Sequence, residues 1–129
     1  MTIYPTADDV FSIHRTLIER FGGSHGVRDL GGLESALARP RSGYYRDLIE
    51  EAAALWESLA QNHAFIDGNK RTAFAATHTF LAINGARLTA DANQTYAFVA
   101  ALYEANQFRF DKLVPWLRSH VTHEKPDRS

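Results

Sequence analysis

The chain has 129 residues, a formal net charge of −1 and no cysteine. That length predicts one domain, residues 1–123, with a polar, disordered tail at 124–129. The charge excludes a nucleic-acid binder working by bulk positive potential, and the missing cysteines exclude a disulfide framework and any thiolate metal site.

The N-terminal stretch Met1 to Pro5 has no basic and apolar run of the secretory kind, and no apolar segment approaches the ~18 residues of a membrane span. A cytoplasmic protein with no membrane partner is expected. Thr6 or Asp8 caps a first helix to about Arg20, with Val10, Ile13 and Leu17 on one face. Gly22, Gly23 and Gly26 break it. Leu33 to Arg39 reads as a short helix ended by Pro40, because the residue before proline is pushed out of the helical region. Arg41 to Tyr45 reads as a loop or a flexible hairpin. Asp47 opens a long helix to about Asn62, with Leu48, Ala52, Leu55 and Leu59 inward and Asp47, Glu50, Glu51 and Glu57 outward. Asn69 starts the next helix, which runs to about Asn84 with Gly85 as its stop. That helix is apolar nearly all round, as a buried central helix would be. Arg87 to Thr89 is a possible short strand. Thr89 or Asp91 caps a helix to about Asn106, with Tyr96, Val99, Ala100 and Tyr103 inward. Asp111 caps the last helix, with Pro115 near its first turn and Leu113, Trp116, Leu117 and Val121 on its apolar face. The fold class is all-α, a bundle of about six helices.

The chemistry concentrates in His63-Ala64-Phe65-Ile66-Asp67-Gly68-Asn69-Lys70-Arg71. Lys70 and Arg71 fall in the first turn of a predicted helix, where the macrodipole disfavours cations by about 0.3–1 kcal/mol each. A bound phosphate repairs that mismatch, because the first amides of a helix already point at anions. His63 is suited to take a proton near neutral pH. Asp67 offers a hard oxygen ligand for Mg²⁺, or a plain loop cap. Gly68 permits close backbone approach to phosphate, or simply a turn. Asn69 caps the helix and can bond phosphate, Arg71 gives a forked clamp and Lys70 a point charge. Phe65 is expected to anchor the loop in the core. His14, His25, His78, His120 and His123 lack such company and read as structural; His120 and His123 lie three apart on a helix without a third ligand. There is no Gly-x-x-x-x-Gly-Lys-Ser/Thr run and no strand before a glycine fingerprint.

These nine residues resemble the motif of the Fic family, and more closely its Doc branch. His63, Phe65, Asp67, Gly68, Asn69 and Arg71 match the pattern His-x-Phe-x-(Asp/Glu)-Gly-Asn-Gly-Arg-x-x-Arg. Lys70 replaces a glycine and Phe74 the second arginine. The segment Arg28 to Pro40 is similar to the one preceding the target-docking flap in Doc-like proteins, which implies that Arg41 to Tyr45 holds a target segment. The resemblance implies an all-α bundle around a buried central helix that follows the motif loop. It implies ATP and Mg²⁺ as cofactors, with His63, Lys70 and Arg71 catalytic, Gly68, Asn69, Lys70 and Arg71 on the nucleotide, and Asp67 on the metal.

In this family, glycine at the Lys70 position accompanies transfer of AMP to a target hydroxyl. Lysine there narrows the anion hole, which implies a reversed nucleotide and transfer of the γ-phosphate to a threonine of a translation protein such as elongation factor Tu. Gly68, where Doc-type motifs often have alanine, keeps AMP transfer open as the alternative. A catalytically inactive module that only binds a partner is the third reading. No glutamate in the chain is followed by glycine or asparagine, so the self-inhibitory motif of many Fic enzymes is missing from these residues. The resemblance therefore implies inhibition in trans by a Phd-type antitoxin whose tail folds into a groove of the toxin.

Overall fold

Each helix starts where a short polar side chain can take over orphan backbone amides. In this computed structural model, which describes residues 1–124, helix α1 (Ala7–Phe21) begins at Thr6 in a reciprocal capping box with Asp9. Asp29 caps α2 (Leu30–Ala38), Asp47 caps α3 (Leu48–Gln61) and Asp91 caps α5 (Ala92–Glu104), the last again as a capping box, with Gln94. Helix α4 (Asn69–Ile83) has no side-chain cap, and α6 (Phe110–His120) follows an extended Arg109. Strands β1 (Ala86–Leu88) and β2 (Val121–His123) pair antiparallel, Arg87 opposite Thr122. Glu124 N–H then donates to the Gly85 carbonyl at 2.7 Å. The rest of the expected tail, residues 125–129, lies outside the described residues.

The core forms around α3. Ten of its fourteen residues are buried, against six of fifteen in α4, whose outer face stays open. Trp56 of α3 is 1% exposed and is ringed by Phe74, Phe98, Phe108 and Trp116, with centroids 5.6–6.4 Å away. The fold is thus all-α, as expected, but α3 rather than the helix after the motif loop takes the central place, and the possible short strand pairs with a second one in a small ribbon. Among the described residues, no helix is long and apolar enough to cross a membrane.

Several local expectations are corrected. The buried stripe of α1 is Val10, His14 and Ile18, spaced four apart; Ile13 and Leu17 only flank it. Helix α2 starts at Leu30 because Asp29 caps it, and Pro40 sits within a 3-10 turn, Arg39–Arg41. Arg39 keeps a right-handed helical backbone, φ −56 and ψ −50. Its guanidinium is held by Tyr45, Glu57 and Ser58, which outweighs the preference imposed by proline. Arg41 to Tyr45 contains no strand, so the hairpin alternative is not realised.

The acids of α3 do not face out. Glu50 meets Arg46 and Arg118, Glu51 accepts from the Tyr4 hydroxyl, and Glu57 accepts from Arg39 and from the Phe110 amide. On α5, Tyr96 is 77% exposed and Thr95 is buried instead. Asp111 lies in the first turn of α6 and does not cap it; Pro115 is inside the helix. Val121 and His123 belong to β2, so His120 and His123 do not share a helix face.

Candidate active site

The motif loop runs between α3 and α4, and four sets of contacts fix its shape. The chain at 26–29 lies beside it: Arg28 and Asp29 N–H both donate to the Ala64 carbonyl, and Ile66 N–H donates to Gly26. Val27 and Phe65 form an isolated antiparallel bridge. Phe65, 3% exposed, inserts between α1 and the core, stacked on the His14 ring at 3.9 Å and edge-on to Phe11. This is the anchor expected of it. His14 also donates through Nε2 to the Asp67 carbonyl at 2.8 Å; a carbonyl only accepts, so the proton is on Nε2. Asn69 bonds the Phe65 backbone twice, accepting from its N–H at 3.0 Å and donating to its carbonyl at 2.9 Å.

Asn69 is therefore not the cap of α4. The N-cap is Gly68, at φ +77 and ψ 19, and it carries no capping side chain. A Cβ on Gly68 would meet Ile18 at 3.1 Å in a backbone conformation that L residues rarely adopt. Thr72 N–H closes the first helical bond, to the Gly68 carbonyl. The amides of Asn69, Lys70 and Arg71 therefore have no intrahelical acceptor, and no side chain caps them. The first turn holds no acid.

Lys70 and Arg71 occupy the second and third positions of α4, as the sequence predicts. Among the described residues neither pairs with a carboxylate. Each rests on an aromatic ring instead: Lys70 Nζ is 4.2 Å from the Tyr103 centroid, and the Arg71 guanidinium carbon is 4.6 Å from that of Phe21. Burial pushes the Tyr103 hydroxyl up to about 12. The two cations stand at one end of a groove of about 1020 Å³ between α1, α4 and α5, walled by residues such as Leu17, Phe74, His78, Tyr96 and Val99.

The Asp67 carboxylate accepts from its neighbour Gly68 N–H at 2.9 Å and from Ser24 N–H at 3.1 Å. Gly23 leaves space for it, since a Cβ there would stand 2.7 Å from Asp67 Oδ2. Asp67 remains exposed, and among the described residues no three metal-ligating side chains cluster. His63 follows the Asn62 C-cap of α3 at φ +48, a left-handed backbone that is strained for a residue with a Cβ. Its imidazole is exposed and makes no hydrogen bond among the described residues.

All six predicted site residues thus fall on one loop and helix start. The sequence reading missed three contributors: His14, Phe21 and Tyr103. His14 carries a readable signal, as a polar residue four from both Val10 and Ile18 on the buried stripe. Phe21 and Tyr103 are brought to the cations only by tertiary packing of α1 and α5.

Comparison with known proteins agrees with this geometry. A family model described as the Fic/DOC family matches residues 4–81. Over 96 residues the chain is 49% identical to Toxin Doc of Mycolicibacterium smegmatis, covering 70% of this chain and 72% of that protein. It is 34% identical over 85 residues to Protein kinase doc of Escherichia phage P1, covering 63% of this chain and 68% of that protein. A motif loop built on the family's own residues, within a match spanning most of α1 to α4, places this chain in the Fic/DOC family.

Proposed function

We propose that the protein is a Doc-like toxin that transfers the γ-phosphate of ATP to a threonine hydroxyl of a translation protein, elongation factor Tu being the first candidate. The observation that carries this reading is the start of α4. Three amides without intrahelical acceptors, two cations that pair with no carboxylate among the described residues, and a glycine cap form a place suited to anionic oxygens. The names carried by two relatives, a toxin and a protein kinase, support the chemistry.

In this reading His63 takes the proton of the acceptor hydroxyl as its oxygen bonds to the γ-phosphorus. The bond from that phosphorus to the β-bridging oxygen breaks, and ADP leaves. Lys70, Arg71 and the α4 amides hold the charge that develops on the phosphoryl oxygens. Asp67 fits a single coordination position for Mg²⁺: it is exposed, and its two oxygens each accept one N–H and keep further lone pairs. Bound there, the ion would neutralise phosphate charge. Among the described residues no three metal-ligating side chains cluster, so its other ligands would be phosphate oxygens and water. Gly68 admits the backbone to the phosphate, and Asn69 acts by holding the loop.

The partner is an antitoxin. The groove that ends at Lys70 and Arg71 has apolar walls from three helices, as a helical segment of a Phd-type protein would require.

The test uses purified protein, Mg²⁺ and elongation factor Tu with ATP labelled at the γ or the α position. Label from the γ position alone supports the proposal. Label from the α position alone makes the protein an AMP-transferase, the alternative that Gly68 keeps open. No transfer from either, to this or any translation protein, leaves a binding module.

A further inference from the structure

Lys70 lies in a helix's first turn, and among the described residues it pairs with no carboxylate. What holds it is a ring. Nζ stands 4.2 Å from the centroid of Tyr103, which belongs to α5. That ring lies flat on Phe108, at 4.5 Å and 5°. Phe108 is 2% exposed, meets Trp56 edge-on at 5.6 Å, and its carbonyl accepts from Gln61 Nε2 at 2.9 Å. A column of three rings therefore ties the ammonium to the centre of the core. Tyr103 falls outside residues 4–81, so the family pattern assigns it nothing.

We propose that Tyr103 is a positioning residue whose ring face fixes the Lys70 ammonium over the start of α4, ready for a nucleotide phosphate. The inference rests on the reading of Lys70 as a phosphate ligand. A lysine has a flexible four-carbon stem, and an unheld ammonium spreads over many rotamers. A carboxylate would hold it but cancel the charge the phosphate needs. The negative face of an aromatic ring attracts the cation and leaves its full charge in place. Burial keeps the Tyr103 hydroxyl protonated to about pH 12, so this neighbour adds no competing anion. An exposed contact of this kind corresponds to about a two- to five-fold change in an equilibrium constant.

The test is a double-mutant cycle on ATP affinity, read by calorimetry with no target protein present, on wild type, Tyr103→Leu, Lys70→Ala and the double variant. Thermal unfolding checks that each is folded; Tyr103→Met replaces Tyr103→Leu if the latter is not. The ring-free variant is expected to weaken ATP about two- to five-fold when Lys70 is present and to change nothing when it is alanine. Tyr103→Phe, which keeps the ring, is expected to restore wild-type affinity. Equal weakening in both backgrounds overturns the proposal, as does a phenylalanine variant as weak as leucine. The cycle involves no transfer step, so label moving from the α-phosphate would refute the kinase reading and leave the coupling standing. Zero coupling would refute the positioning role and leave the chemistry standing. Failure of wild type to bind ATP would overturn both.

Discussion

Asn69→Ala is expected to release the motif loop from the start of α4. The side chain makes two hydrogen bonds to the backbone of Phe65, at 3.0 and 2.9 Å, in a part-buried setting. Bonds of this kind contribute about 0.5–1.5 kcal/mol each, so the pair contributes about 1–3 kcal/mol. Alanine at the first helical position returns about 0.5 kcal/mol of propensity. The net loss is about 0.5–2.5 kcal/mol, which for a chain of this size lowers Tm by about 2–12 °C in scanning calorimetry. Activity falls further than stability, because a loop displacement on the order of 1 Å costs about a hundredfold in a positioned reaction. Asn69→Asp separates the two roles. It keeps the acceptor for Phe65 N–H but sets a carboxylate oxygen against the Phe65 carbonyl, a loss that the charge near the helix start offsets by about 0.3–1 kcal/mol, so stability falls no further than in Asn69→Ala. Its negative charge near the helix start opposes an incoming phosphate, so ATP binding weakens. An Asn69→Ala protein unfolding within about 1 °C of wild type would refute the idea that these bonds hold the loop.

His63→Gly is expected to abolish transfer and yet unfold at or slightly above the wild-type temperature, since φ +48 costs a residue with a Cβ about 1–2 kcal/mol that glycine does not incur; a clear drop in Tm, or activity that survives, counts against the assignment of strain and base to this residue. Lys70→Gly is expected to lose γ-phosphate transfer and to gain AMP transfer, as followed with the two labelled nucleotides; undiminished γ-transfer would rule out the orientation argument. Hydrogen bonding to Arg46 holds the Glu50 carboxyl below its ordinary value of 4.5. The associated stability is present above that value and is lost as pH falls through the lower folded one, so Glu50→Gln flattens the acid limb of the Tm-versus-pH curve. An acid limb of unchanged slope would show that Glu50 is not the group responsible.

What was legible in the sequence depended on how local the cause was. Caps at Thr6, Asp47 and Asp91 act on amides two or three residues away, and their helices begin where expected. The uncapped, cationic start of α4 was legible for the same reason: glycine, two cations and no acid are neighbours in the chain. The failures involve partners far away in sequence. Glu57 looked solvated because its partners, Arg39 and the Phe110 amide, are 18 and 53 residues off. Pro40 does end α2, but nothing nearby announces that Arg39, gripped from α3, turns the chain on through a 3-10 turn. Asn69 looked like a cap because Asn commonly is one, whereas a left-handed Gly68 takes that place and frees its side chain for Phe65.

The arrangement at the start of α4 also has a common electrostatic logic. Cations there oppose the helix dipole, and an ordinary surface would relieve them with nearby carboxylates. Here the acids are spent elsewhere: Glu50, Glu51 and Glu57 of α3 bind Arg46, Tyr4 and Arg39, and Asp67 turns toward the amides of Gly68 and Ser24. What remains beside Lys70 and Arg71 is aromatic, Tyr103 on one side and Phe21 on the other. A ring orders a cation but does not neutralise it, so an incoming phosphate need break no ion pair. The dipole conflict and the missing acids are thus one feature. In the proposed function a phosphate would supply the negative charge that the helix start lacks, and a neutral ligand would gain nothing from it.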